Sequence, residues 1–121
     1  TIIASGIMVA RAIEASYILE GRGYSVGVLS VHMIKPIDEE AIVKAAKRSG
    51  AIVTAENHNV IGGLGSAVAE VISENAPVPM KRVGVKDRFG EVGNEKYLSE
   101  IMGLTVDDIV NAAEEVIVKK K

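Results

Sequence analysis

Short apolar runs alternate with amphipathic helical stripes along the chain, and this alternation constrains the fold more than any other feature. Four runs have the length and composition of strands: residues 1–5, 26–31, 51–55 and 80–85. The first and third are almost continuously apolar, as strands covered on both faces are. Lys81 and Arg82 place the fourth nearer an edge. The pattern predicts an α/β protein whose parallel sheet lies between two helical layers.

The segments between the runs carry helical stripes and helix-capping signals. For the first helix we predict a buried face made of Val9, Ala12, Ile13 and Tyr17. For the third and the last helix the predicted buried faces are Leu64, Ala67, Val68, Val71 and Ile72, and Ile109, Ala112, Ala113 and Val116. Asp38 and Thr105 are predicted N-caps, the second within a capping box with Asp108. Helix ends are predicted at Gly23, Gly50 and Asn75.

The predicted element order is β-α-β-α-β-α-β-loop-α-α, a three-layer α/β/α sandwich with a four-stranded parallel sheet in the order 2-1-3-4. Ligands of such sheets favour the carboxyl ends of strands at the switch point, here Ser5-Gly6 and the residues after Ala55. We predict that residues 1–121 form a single domain. Because Thr1 already lies within a predicted strand, we expect this domain to be part of a longer polypeptide.

Charge and composition exclude several classes of function. A net charge of -2 offers no basic surface for nucleic acid or an anionic membrane. The sequence contains no cysteine, which rules out disulfides, thiolate metal sites and a cysteine nucleophile. Its apolar runs are too short to span a bilayer, and no signal region is recognisable, so we predict a cytoplasmic protein.

A glycine-rich stretch, residues 54–68, leads from the third strand into the third helix. A helix N-terminus can bind an anion, so one hypothesis is a free-standing anion- or nucleotide-binding regulatory module. However, Val68 stands where a dinucleotide-binding loop needs its third glycine, and no Lys-Ser/Thr pair follows as in a P-loop. The favoured interpretation is that small residues let the helix pack closely on the sheet.

Glu56 and His58 form an acid–histidine pair at the end of a strand, a combination suited to acid–base chemistry. No candidate nucleophile stands beside them. A metal site would need His32 as third ligand, but the first strand separates it from the other two. We therefore predict that Glu56 and His58 form hydrogen-bonded loop structure or an interface contact, and that they ligate no metal. Phe89, the only phenylalanine, lies in a glycine-bearing loop, where it either covers the domain's own rim or contacts a partner.

Five segments, taken together in order and spacing, resemble the C-terminal domain of transketolase. They are Thr1-Ile2-Ile3-Ala4-Ser5-Gly6, Lys35-Pro36-Ile37-Asp38, residues 54–68, Val83-Gly84-Val85-Lys86-Asp87-Arg88-Phe89 with Gly93, and Met102-Gly103-Leu104 before the final helix. The resemblance covers essentially the whole chain. It implies a fold whose antiparallel edge strand precedes the equivalent of Thr1.

In this family, thiamine diphosphate is held between two other domains, one of which binds magnesium and diphosphate through a Gly-Asp-Gly…Asn motif. The present sequence has no Gly-Asp pair. The resemblance thus implies that this domain contains no catalytic, cofactor-binding or metal-ligating residue. It implies as partners the pyrimidine- and diphosphate-binding domains or subunit. The parent enzyme is then expected to be a homodimer that uses thiamine diphosphate and a divalent metal such as magnesium. Interface or rim positions are then expected at Glu56, His58, Gly62, Gly63, Gly65, Asp87 and Phe89.

The implied activity of the parent is transfer of a two-carbon ketol unit between sugar phosphates, as in the pentose phosphate pathway, with the isolated domain inactive. Deoxyxylulose-phosphate synthase and the β subunit of 2-oxo-acid dehydrogenases share this domain and are the alternatives. Glu56-Asn57-His58 followed by Gly62-Gly63-Leu64-Gly65 is most similar to transketolase, particularly the split form encoded as two sections.

Overall fold

The computed structural model describes residues 1–32, 37–59, 63–85 and 104–120, without the side chains of residues 58, 59 and 85. The strands are β1 (Ile2–Ala4), β2 (Val28–Ser30), β3 (Ile52–Asn59) and β4 (Met80–Val85). The helices in these ranges are α1 (Met8–Gly21), α2 (Glu39–Ser49), α3 (Leu64–Asn75) and α4 (Val106–Val118). None of these helices is long and apolar enough to cross a membrane.

The strands form a parallel sheet in the order β2-β1-β3-β4, which confirms the predicted topology. Ile3 of β1 lies beside Leu29 of β2 on one side and Thr54 of β3 on the other. The strands β1 and β3 are central because their residues can be buried on both faces, whereas β4 with Lys81 and Arg82 is at the edge.

Two apolar cores lie on opposite faces of the sheet. Along β1, Ile2 and Ala4 belong to the core under α1 and α4, while Ile3 belongs to the core under α2 and α3. This division follows from the two-residue period of a strand, which directs alternate side chains to opposite faces. Three layers result, as predicted.

The predicted helix caps are confirmed. The Asp38 carboxylate accepts a hydrogen bond from the Ala41 N–H at 3.1 Å. Thr105 and Asp108 form a reciprocal capping box, in which the Asp108 N–H donates to Thr105 Oγ1 and the Thr105 N–H to the Asp108 carboxylate. Gly50 ends α2 with a φ of 75°, a left-handed conformation that glycine adopts without a steric cost.

The predicted buried face of α1 is only partly confirmed: Ala12 is buried and Val9 packs against the core, but Ile13 and Tyr17 face solvent. Ile13 and Tyr17 are 40% and 68% exposed, although both are large and apolar. The helix is instead turned so that Met8, Ala12, Ala15, Ser16 and Leu19 are buried. The short β1–α1 turn sets this orientation, because Met8 N–H donates to the Ser5 carbonyl and the helix begins after only three intervening residues. The buried Ser16 hydroxyl is satisfied by the Ile13 carbonyl at 2.6 Å.

The third strand is longer than predicted. It continues past Ala55 to Asn59, where the prediction placed a polar loop. Its register with β4 shifts between Ala55 and Asn59, which pairs with Val85. The polar residues after Ala55 therefore belong to the last part of β3 and not to a loop. The connection from β3 to α3 is short.

Candidate functional site

The carboxyl edge of the sheet brings the β1–α1 turn against the end of β3, at the switch point predicted from the sequence. The Ser5 N–H donates to the Ala55 carbonyl at 3.2 Å. Gly6 has a φ of 58°, and a Cβ atom at this position would lie 3.5 Å from Asn57 Oδ1. The turn needs glycine for its backbone conformation, and Asn57 lies beside it.

Glu56 is the best-defined polar group at this edge. Its side chain is fully buried, and its two carboxylate oxygens accept hydrogen bonds from the Leu64 N–H at 2.8 Å and the Gly65 N–H at 2.6 Å. Both donors belong to the first turn of α3, where backbone N–H groups have no partner within the helix. The carboxylate is thus an N-terminal cap supplied from the neighbouring strand.

The strand period explains how Glu56 reaches this position. Ile52 belongs to the core under α2 and α3. Thr54 and Glu56 follow at intervals of two and point to the same face, toward the start of α3. A buried carboxylate is costly without strong partners, and two charge-assisted bonds at a positive helix end supply them.

Gly65 allows α3 to approach the sheet this closely. A Cβ atom there would lie 2.8 Å from Cδ of Arg82 and 3.0 Å from the hydroxyl oxygen of Thr54. Those two residues are paired across β3 and β4. The prediction that a small residue serves close packing of helix on sheet is therefore supported at Gly65. The Thr54 hydroxyl beneath it is fully buried and has no hydrogen-bond partner among the described residues.

Several predicted interface or rim residues lie outside the described residues. These are Gly62, Asp87 and Phe89, and also the side chain of His58. Gly63 is the N-cap of α3, with extended backbone angles. The residues 98–103 that precede the predicted final helix are likewise outside.

The trio considered for a metal site is not assembled in the described ranges. His32 follows β2 and is exposed, β1 lies between β2 and β3, and Glu56 is engaged with α3. Within these ranges no group of three or more potential metal-ligating side chains is found.

Charge at the opposite, amino edge of the sheet is positive. Burial, with the nearby cations of Lys120 and Arg48, lowers the pKa of the Thr1 amino group to about 6. The amino group donates to the Ala51 carbonyl at 3.0 Å. Desolvation on burial is the main cause of this lowered pKa, and the two cations add to it.

The role of Glu56 as a helix cap was not predicted from the sequence. The signal was available, because an acidic residue in strand phase with an inward-facing Ile52 precedes a glycine-rich helix start by eight residues. Because the strand was predicted to end at Ala55, Glu56 was assigned to a loop, and its role as a helix cap was not recognised.

A family model described as the transketolase C-terminal domain matches residues 1–109. The 6-deoxy-6-sulfo-D-fructose transketolase subunit SqwH of Clostridium sp. (strain MSTE9) is 58% identical over 99% of this chain and 37% of its own length. The 1-deoxy-D-xylulose-5-phosphate synthase of Heliobacterium modesticaldum is 38% identical over 95% of this chain and 18% of its own length.

Among solved structures, one described as a split gene transketolase, an inactive beta4 tetramer, has a TM-score of 0.95 and 49% identity. It is matched over 99% of this chain and 39% of its own. The chain therefore spans less than two fifths of the length of each of these three proteins. The resemblance seen in the sequence is confirmed.

Proposed function

The chain belongs to the transketolase C-terminal domain family, and from this premise we propose that it is the C-terminal domain of a split transketolase. The whole enzyme transfers a two-carbon ketol unit from a ketose phosphate to an aldose phosphate. This domain contributes architecture and contacts to that enzyme, and the reacting groups belong to other domains. All 121 residues form the domain.

The observation that carries the proposal is the similarity to split transketolases along nearly the whole chain. Identity is 58% to a transketolase subunit and 49% to a split gene transketolase, against 38% to the synthase. An activity assay of the complete enzyme should test ketose phosphates and 6-deoxy-6-sulfo-D-fructose as alternative donors of the ketol unit. The second sugar is included because the name of the 58% identical relative specifies it.

The donor set in the described part of the chain does not fit a thiamine diphosphate and magnesium site. The buried carboxylate at the carboxyl edge, Glu56, is already bound to two backbone N–H groups. The sequence contains no Gly-Asp pair. We propose that the coenzyme and the divalent metal bind to the pyrimidine- and diphosphate-binding domains or subunit, in a cytoplasmic homodimeric enzyme.

The interface proposed for those partners is the carboxyl edge of the sheet. It includes the rim formed by Gly6 and Asn57, together with His58 in the last part of β3. Gly62, Gly63, Asp87 and Phe89 are assigned to the same edge by the family resemblance. Glu56 and Gly65 support this rim from inside, since both are buried.

The test is the substitution His58→Ala in the complete enzyme. We expect kcat to fall by less than about tenfold, because a contact at a rim contributes less than a group that exchanges protons with the substrate. The matched variant replaces the catalytic glutamate of the pyrimidine-binding domain, and its kcat should fall by about a thousandfold or more.

Equal losses of kcat in the two variants would contradict the placement of the chemistry outside this chain. The complete enzyme, supplied with pyruvate and glyceraldehyde 3-phosphate, shows whether it is a transketolase or the alternative, a deoxyxylulose-phosphate synthase. Formation of deoxyxylulose phosphate in place of ketol transfer would replace the transketolase proposal.

The regulatory-module hypothesis has less support. It requires the N–H groups at the start of α3 to receive an external anion. The Leu64 and Gly65 N–H groups instead donate to the buried Glu56 carboxylate.

A further inference from the structure

Helix α3 has an anion at its N-terminus, and that anion is part of the protein itself. The Glu56 carboxylate accepts from two consecutive backbone N–H groups at 2.8 and 2.6 Å. This is the arrangement in which helix N-termini bind phosphate or carboxylate ligands. The side chain is fully buried, so bulk solvent does not reach it.

We propose that Glu56 is a built-in anionic ligand of α3, a device that fixes the β3–α3 connection and excludes external anions from the helix start. The bonds join residues eight and nine positions apart, so they close the connection into a short loop. Asn57, next to Glu56 in β3, is held beside Gly6 at the carboxyl edge by the same anchor. This inference concerns the chain alone and does not rest on the proposed function.

Burial distinguishes this cap from that of α2. Asp38 also accepts from a backbone N–H at a helix start, but it is exposed, and water can replace its carboxylate. Glu56 lies beneath α3, where the loss of its carboxylate leaves two buried donors without partners. A cavity with two aligned N–H groups should then bind a small carboxylate from solution.

The experiment is the variant Glu56→Ala of the 121-residue chain, with Asp38→Ala as the matched control. We expect Glu56→Ala to lower Tm by about 10 °C or more, and Asp38→Ala by about 5 °C. Formate or acetate should raise the Tm of Glu56→Ala in a saturable manner. Chloride at the same ionic strength and the neutral analogue acetamide should not.

The proposal is overturned if Glu56→Ala has the Tm of the parent chain, or if acetate raises the Tm of the parent, Asp38→Ala and Glu56→Ala equally. Should Glu56→Ala fail to fold with and without acetate, Glu56→Gln decides the question. In that variant the amide proton resonances of Leu64 and Gly65 should move upfield more than those of any other residue, because a charged acceptor is lost. Unchanged resonances would contradict the role assigned to Glu56.

Discussion

Replacing Gly65 with valine is expected to lower the free energy of unfolding by about 3 kcal/mol, the upper range for overpacking a well-packed core. The first added carbon would lie 2.8 Å from Cδ of Arg82 and 3.0 Å from the hydroxyl oxygen of Thr54. The arginine side chain can move aside, but Thr54 is fully buried in a central strand and cannot. Helix α3 would have to move away from the sheet, which also weakens the bonds to Glu56. Urea denaturation measures the effect.

Gly21→Val is the matched control, since Gly21 also lies in a helix and, apart from its chain neighbours and its own helix backbone, no described atom lies within 4 Å of its would-be Cβ. There the free energy of unfolding should change by less than about 0.5 kcal/mol. Similar values for the two variants would mean that close approach of α3 to the sheet is not what Gly65 provides.

Ending the chain at residue 109, where the family match ends, is expected to abolish cooperative unfolding. The remainder of α4 would be lost, and with it four residues of the core under α1 and α4: Val110, Ala112, Ala113 and Val116. Burial of these side chains contributes about 5 kcal/mol, comparable with the whole stability of a small domain. Circular dichroism during a urea titration would show a gradual change in place of a transition.

A chain that ends at Val118 is the control for this truncation. It keeps α4 and lacks only the terminal lysines, of which Lys119 and Lys120 are exposed. Its free energy of unfolding should stay within about 1 kcal/mol of the parent. A cooperative transition at the parent's urea midpoint for the chain ending at 109 would show that α4 is dispensable.

The order of the strands could be predicted because the amino-acid composition of a strand differs between the buried centre of a sheet and its exposed edge. The residues of β1 are apolar on both faces, whereas β4 carries Lys81 and Arg82, and the sheet places the first centrally and the second at an edge. Helix caps were equally predictable, because Asp38 and Thr105 act through residues only three positions away. Local signals of this kind do not depend on the rest of the fold.

The orientation of α1 was not predictable by side-chain size. The helix is apolar on more than one side, so Ile13 and Tyr17 competed with the smaller residues Ala15 and Ser16 for the buried side next to Ala12. The choice was made by the β1–α1 turn, whose backbone hydrogen bonds fix where the helix begins. Small residues on the buried side then let α1 approach the sheet.

The cap formed by Glu56 depended on a contact that the sequence does not display directly. Its partners at Leu64 and Gly65 become neighbours only when β3 continues past Ala55 and α3 starts over the same face. A strand–helix pair of this kind is fixed by packing, as the contact between Gly65 and Thr54 shows. The sequence alone therefore did not show that Glu56 caps α3.

Calorimetric titration of the purified 121-residue chain with thiamine diphosphate and magnesium tests most directly whether this polypeptide is a scaffold without a coenzyme site. We expect no heat beyond dilution for the chain, and saturable binding for the complete enzyme under the same conditions. Tight, saturable binding of the coenzyme to the chain alone, or turnover of a sugar phosphate by it, would contradict the proposal that the coenzyme site lies outside this chain.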